Sequence, residues 1–180
     1  MVNNKGFLLF PLLVCIAVQL SGCASPASKD ALIVHDIAKV HPYKESVAVT
    51  VQGGSETGAM DSSNVSNSDL AQAIEESITE NGLFAKIIHG NGSDYLLNVT
   101  IVNMSKPLFG ADFTVSMETA WSLSEVRAKK VVMRESIKSS YTATMGESFV
   151  GVTRLRLALE GAVRENIRQG MLALSQLHRE

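Results

Sequence analysis

The 180-residue sequence predicts an α+β fold, a two-layer sandwich in which a mainly antiparallel sheet of four to five strands carries two helices packed on one face. Three observations predict it. Several segments alternate apolar and polar residues, the pattern of half-buried strands. Two others repeat apolar residues at helical spacing. Their order is strand, helix, strands, helix, and the sheet's dry face is the surface on which both helices can bury their stripes.

The elements follow in order. SVAVTVQ (46–52) alternates Val47, Val49 and Val51 with Ala48, Thr50 and Gln52, the period of a strand. GGSETGAMDSSNVSN (53–67) is rich in glycine and serine and forms a loop. A helix is predicted from about Ser68 to Asn81: Leu70, Ile74 and Ile78 recur every fourth residue, with Asp69, Glu75, Glu76 and Glu80 on a solvated side. Asn67 or Ser68 can cap its start. Asn81-Gly82 ends it, with glycine in the left-handed position and Leu83 placed to touch Ile78.

LFAKII (83–88) is a short strand, and GNGS (90–93) a turn. DYLLNVTIVNM (94–104) sets Tyr95, Leu97, Val99 and Ile101 on one face. ADFTVSMETAWSL (111–123) aligns Phe113, Val115, Met117, Trp121 and Leu123 against a polar side. KVVMRESIKSSYT (130–142) aligns Val131, Met133, Ile137 and Tyr141. Consecutive strands on short links predict an antiparallel meander with one dry and one wet face. The turn VRAKK (126–130) lacks the Asp or Gly that such a turn favours. A closing helix, about Val150 to Gln176, carries the stripe Val152, Leu155, Leu159, Val163, Ile167, Met171 and Leu174, with Glu160 and Arg164 as a surface pair.

Upstream of this domain the sequence has another character. Met1–Lys5 is polar with one positive charge, and GFLLFPLLVCIAVQ (6–19) is apolar, the n- and h-regions of a signal peptide. The run falls short of the ~20 apolar residues of a membrane span. It ends in Leu20-Ser21-Gly22-Cys23, which resembles the lipobox of bacterial lipoprotein precursors. The resemblance implies that Cys23 sulfur receives a diacylglycerol, that residues 1–22 are cut away, and that the new amine is acylated. It implies the outer membrane too, because Ala24 and Ser25, not Asp, follow the cysteine. Cys15 leaves with the signal peptide and Cys23 is consumed by lipid, so no thiol is left for a disulfide, a metal or catalysis. Residues 23–45 are then a lipidated tether, and 46–180 a single domain. Fully flexible, the tether would span roughly 25 Å on average and under ~80 Å extended. Within it, ALIVHDIAKV (31–40) is apolar enough to dock on the domain or form a helical turn.

Charge and motifs exclude several functions. Losing Lys5 from sixteen basic residues leaves fifteen against eighteen acidic, a net −3 with no basic stripe, so no nucleic acid is expected as a partner. His35, His41, His89 and His178 are scattered and form no metal-ligand pattern. GGSETG lacks the Gly-Lys-Ser/Thr ending of a phosphate loop, and no serine lies in Gly-x-Ser-x-Gly. No catalytic residue, metal or cofactor is expected, and the protein reads as a non-enzyme.

Two features read as contact surfaces. In SKPLFGA (105–111), Leu108 and Phe109 either tuck over the end of the core or protrude as an apolar tip touching lipid or a partner protein. The wet sheet face, with Asn98, Thr100, Thr114, Ser116, Glu118, Ser136 and Lys138, is a second candidate, and an edge strand could accept another chain's strand.

The DYLLNVTI strand, the VSMETAWSLSEV strand and the closing helix with LEGAVRENIRQGM are similar in layout to small periplasm-facing lipoproteins of the YajG-like and LPS-assembly-lipoprotein-like kind. With the lipobox, that likeness implies an outer-membrane accessory or assembly factor, held to the membrane through lipid on Cys23 and facing the periplasm, with an envelope protein as partner. The alternative is a lipid or small-ligand carrier, whose pocket between sheet and helices would be lined by Val115, Met117, Trp121, Ile137 and Val163.

Overall fold

The computed structural model describes residues 27–37, 42–55 and 64–177. The signal-peptide stretch 1–22 with Leu20, Ser21 and Gly22, the lipidation residue Cys23, and His41 and His178 lie outside the described residues. The elements are α1 (Lys29–Leu32), β1 (Tyr43–Gln52), α2 (Asn67–Glu80), β2 (Phe84–Ile87), β3 (Tyr95–Ser105), β4 (Phe113–Glu125), β5 (Lys130–Ala143) and α3 (Gly151–Gln176). The strands form one five-stranded sheet in the order β2-β1-β3-β4-β5. The α+β class and the two layers are as the sequence predicts.

β3, β4 and β5 form the antiparallel meander, and its register places Leu97, Leu123 and Met133 in one row. β1 departs from it. It lies between β2 and β3 and runs parallel to both. A parallel neighbour needs a crossover, and α2 supplies it between β1 and β2. The return from β2 to β3 stays short because Ile87 and Tyr95 both sit level with Val47, on opposite sides of β1. Residues 88–94 therefore only step across β1. Asp94 fastens that step: its Oδ2 accepts the Ser46 N–H (3.1 Å) and Oγ–H (2.7 Å), while the Asp94 N–H donates to Ser46 Oγ (3.0 Å). These bonds hold the Asp94 carboxyl below its usual range.

α2 begins one residue earlier than predicted. Ser66 is its cap, accepting the Asp69 N–H at 3.0 Å. Its end is as expected: Gly82 takes φ +60°, and the Leu83 N–H reaches Ile78 O at 3.0 Å. The acids on α2 are more than a solvated face, for they hold the N-terminal segment. Glu76 pairs with Lys29 (2.7 Å) and Glu80 with His35, while Ser77 Oγ and the Asn81 side chain bind the backbone of Val34 and Ile37. From the other side, α3 contributes Glu160 Oε1, which accepts the Ser28 N–H (2.8 Å), and Arg164, which donates to Ala31 O (2.7 Å). Glu160 is buried and its ion pair is with Arg156 (3.7 Å), not Arg164. Residues 27–37 thus lie on both long helices, with Leu32 and Val34 in the core.

The core lies between sheet and helices. On β4, every second residue from Phe113 to Leu123 is buried, Thr119 included. Trp121 and Tyr141 press their rings onto α3 where it has no side chain: a Cβ on Gly170 would fall 2.5 Å from Trp121 Cζ2, and one on Gly161 2.3 Å from Tyr141 Cγ. Thr119, Trp121, Asn166 and Ser139 join in a buried hydrogen-bond network that spans sheet and helix. Three positions of the expected stripes are exposed, Tyr141 at the rim among them. Val131 lies beside a register shift between β4 and β5, which takes it out of phase with Met133. Val152 stands on the first turn of α3, where buried Arg154 takes the inward place.

The turn without glycine has a local cost. Lys129 adopts φ +51°, the left-handed region that side chains disfavour. Lys129→Gly is therefore expected to raise stability by up to ~1 kcal/mol, less the greater freedom that glycine gives the unfolded chain. Urea unfolding measures it; a lower midpoint for the variant would refute the strain at this turn.

Candidate functional site

Two surfaces stand out, and each follows from the topology. The first is one end of the sandwich, where the β3–β4 loop (106–112) meets the β5–α3 connection (144–150). Phe113 pairs with Ala143, which brings the two loops side by side. Leu108 and Phe109 protrude rather than tuck in, with 88% and 85% of their surface exposed. Phe149, at 84%, and Val150, at 58%, stand beside them on the second loop. Sequence reasoning missed these two; the signal was present in GESFVG (146–151), an apolar pair between small and polar residues, just as in SKPLFGA.

A buried cation ties the loops. Arg154 donates from Nη1 to Ser148 O (2.7 Å) and from Nη2 to Gly110 O (3.4 Å), and its guanidinium lies 4.8 Å from the centre of the Phe113 ring. The acids of this end are exposed yet tied to neighbouring groups. Asp112 Oδ1 accepts the Met145 N–H (3.2 Å), and Glu147 accepts the Thr144 N–H (2.7 Å) and the Tyr141 hydroxyl (2.9 Å), which lowers the Glu147 carboxyl's pKa. The end of the molecule is thus an organised apolar tip.

The second surface is the sheet face away from the helices, which is bare. Thr114 and Thr142 join hydroxyls at 2.8 Å, Ser136 donates to Glu118 (2.8 Å), and Lys138 pairs with Glu118 (3.7 Å). Asn98 accepts from Thr50 across the β1–β3 pair. A shallow cleft of about 340 Å³ lies here, lined in part by Asn103, Ser116, Glu118 and Lys138. Of the residues that would line a carrier's pocket, Val115, Met117, Trp121, Ile137 and Val163 are all buried in the one hydrophobic cluster.

His35 and His89 are exposed and pair with Glu80 and Glu75 respectively. Among the described residues no three His, Cys, Asp or Glu side chains gather in a metal-holding group. Among them, too, no helix is long and apolar enough to cross a membrane.

No family model matches the chain. No curated protein matches it either. Solved structures share its fold at low identity. A Xanthomonas campestris protein of family DUF330 superposes with a TM-score of 0.59 at 11% identity, over 80% of this chain and 91% of its own. A hypothetical protein from Chlamydia trachomatis gives 0.52 at 10%, over 74% and 99%. A minor lipoprotein from Acinetobacter baumannii gives 0.50 at 10%, over 76% and 94%. The fold is thus shared with a lipoprotein, and at this identity the likeness shows the fold alone.

Proposed function

We propose that the protein is a lipoprotein, anchored in the outer membrane through acyl chains on Cys23 after removal of residues 1–22, and acting in the periplasm as a non-enzymatic accessory or assembly factor for an envelope complex. The observation that carries the reading is the Leu20-Ser21-Gly22-Cys23 box at the end of an apolar leader, followed within a few residues by the docked segment 27–37. The fold supports it, since a minor lipoprotein shares it, and the YajG-like and LPS-assembly-like resemblance points the same way. Several acyl chains, each methylene worth ~0.8 kcal/mol in the bilayer, hold a protein firmly where one does not. Confinement then raises the effective concentration of whatever surface the domain presents.

The bare sheet face suits a partner better than the edges do. β2 is short, and the longer edge β5 carries Lys130, Arg134, Glu135 and Lys138, the charges that discourage strand pairing. The test compares wild type with Cys23→Ala by intact mass, membrane fractionation and in-cell cross-linking. Expected are the lipid mass, outer-membrane sedimentation and one discrete cross-linked envelope protein for wild type, all lost in the variant. A cleaved, unlipidated, soluble wild type would overturn the anchor. A lipidated wild type that cross-links to no protein would overturn the accessory role.

A further inference from the structure

We propose that the apolar tip of Leu108, Phe109, Phe149 and Val150 enters the same membrane leaflet that receives the lipid on Cys23, so that the domain rests on the bilayer by two contacts and stands with its strands across the membrane plane. The inference rests on the anchor proposed above and adds an orientation and a second lipid-binding site to it.

Chain length decides which end of the domain meets the membrane. Ser28 is held at Glu160 on α3, and from there the segment runs to Ile37 at Asn81, away from the tip. Five residue steps lead from Ser28 back to Cys23, a reach of at most ~17 Å. At 1.5 Å per residue, Gly151 at the tip end of α3 is ~14 Å from Glu160, whereas Gln176 at the other end is ~24 Å away. The lipid on Cys23 can therefore come level with the tip but not with the opposite end. Docking of residues 27–37 makes this so, because a wholly free 23–45 segment would have let either end face the bilayer.

The chemistry of the two ends agrees. At the tip, three of the four large apolar side chains are more than four-fifths exposed, and the two exposed acids, Asp112 and Glu147, are each engaged by a backbone N–H of the same two loops. Arg154 holds the two loops together, so inserting them orders little that is not already ordered. The opposite end presents Arg127, Lys129 and Lys130 on the β4–β5 turn, side chains that keep their charge in water. An exposed apolar tip on one end of a protein whose anchor reaches only that end is matched by lipid.

Depth-dependent quenching tests it on the full-length lipoprotein, purified in detergent and reconstituted into phosphatidylethanolamine–phosphatidylglycerol vesicles with brominated acyl chains. Phe109→Trp and Phe149→Trp place an indole at the tip, and Val126→Trp places one at the far end; Trp121, buried, is a constant background. All three substitutions are at exposed sites, and melting curves matching wild type confirm the fold. Intact mass of each sample reports acylation separately. Acylated protein whose Phe109→Trp and Phe149→Trp emission is lost to bromine while Val126→Trp emission survives bears the proposal out. Acylated protein with no bromine quenching at the tip, or with equal quenching at position 126, overturns the tip contact and leaves the anchor standing. Tip indoles shielded from aqueous acrylamide yet untouched by bromine would show a protein partner there instead, and overturn it also. Protein without the acyl mass removes the anchor and with it the geometric argument.

Discussion

Gly170→Ala is expected to destabilise the domain by about 3 kcal/mol, although alanine is the better helix former by ~1 kcal/mol. The new Cβ would lie 2.5–2.6 Å from three atoms of the Trp121 ring, more than half an ångström inside contact. Trp121 is 1% exposed, and its Nε1–H is held by Thr119 Oγ1 at 2.9 Å, so the indole has no free direction in which to yield. Overpacking of this kind costs ~3 kcal/mol, and the indole hydrogen bond adds ~1 if it breaks; helix propensity offsets ~1 of this total. In a domain of this size, 3 kcal/mol corresponds to roughly 10 °C in Tm. Gly161→Ala is the internal comparison. Its clash with Tyr141 is as close, but that ring lies at the rim and can turn into water at the expense of its bond to Glu147. Its loss should be no more than ~1 kcal/mol. Calorimetry on both variants decides: equal losses would mean that burial of the ring does not set the cost.

The two glycines show what the sequence makes legible and what it does not. Strands β3 and β4 and the body of α3 stand where alternation and helical spacing predict them, because there the apolar residues themselves do the packing. The shape that receives Trp121 is a missing side chain on α3, and absence leaves no periodic mark. The same holds for Arg154. Its place is inward because two backbone carbonyls and the Phe113 ring converge on it, and the carbonyls come from Gly110 and Ser148, on two different loops. The stripe drawn through Val152 instead follows hydropathy into a turn that overhangs the sheet's end.

Topology was legible in class but not in order. Short links favour antiparallel neighbours, and β3, β4 and β5 obey. β1 escapes the rule through Asp94, whose bonds to Ser46 let the chain cross it without a long connection. On the contact surface, Leu108 and Phe109 were visible beside Pro107, while Phe149 and Val150 were hidden at the edge of a helix pattern. Their union at one end depends on the pairing of Phe113 with Ala143, which no local signal carries.

Asn166→Asp is expected to cost about 3–4 kcal/mol at pH 7 and much less in acid, and the pH trend is its signature. Asn166 occupies the centre of a buried polar seam between sheet and α3: its Oδ1 accepts from Thr119 (2.5 Å), and its Nδ2 donates to Ile137 O and Ser139 Oγ, both 3.2 Å away. At 2% exposure, an aspartate here would put a carboxylate against a carbonyl oxygen, in a network whose other members, Thr119, Trp121, Ile137 and Ser139, carry no charge. Burial without a partner raises a carboxyl's pKa, and each unit is worth ~1.4 kcal/mol. The sign follows: a folded-state pKa above the unfolded value leaves stability intact below ~pH 4 and removes it as pH rises toward the folded pKa. Protonated, the carboxyl keeps an acceptor for Thr119 and offers one O–H to Ile137 O or Ser139, so most of the network survives. Asn166→Leu supplies the contrast, since at every pH it takes the acceptor from the Thr119 hydroxyl and the side-chain donor from Ile137 O, and should cost ~2–3 kcal/mol throughout. Urea unfolding of the two variants at pH 4.5 and 7 reads the difference. If the aspartate variant shows no recovery relative to leucine in acid, the seam is wetter than its burial indicates. Recovery would show that α3 is held to the sheet by a dry polar lock. Because Ser139 also donates to Ala162 O on the helix, at 2.8 Å, the same lock sets the height at which α3 presents Arg154, and hence the two loops, at the tip.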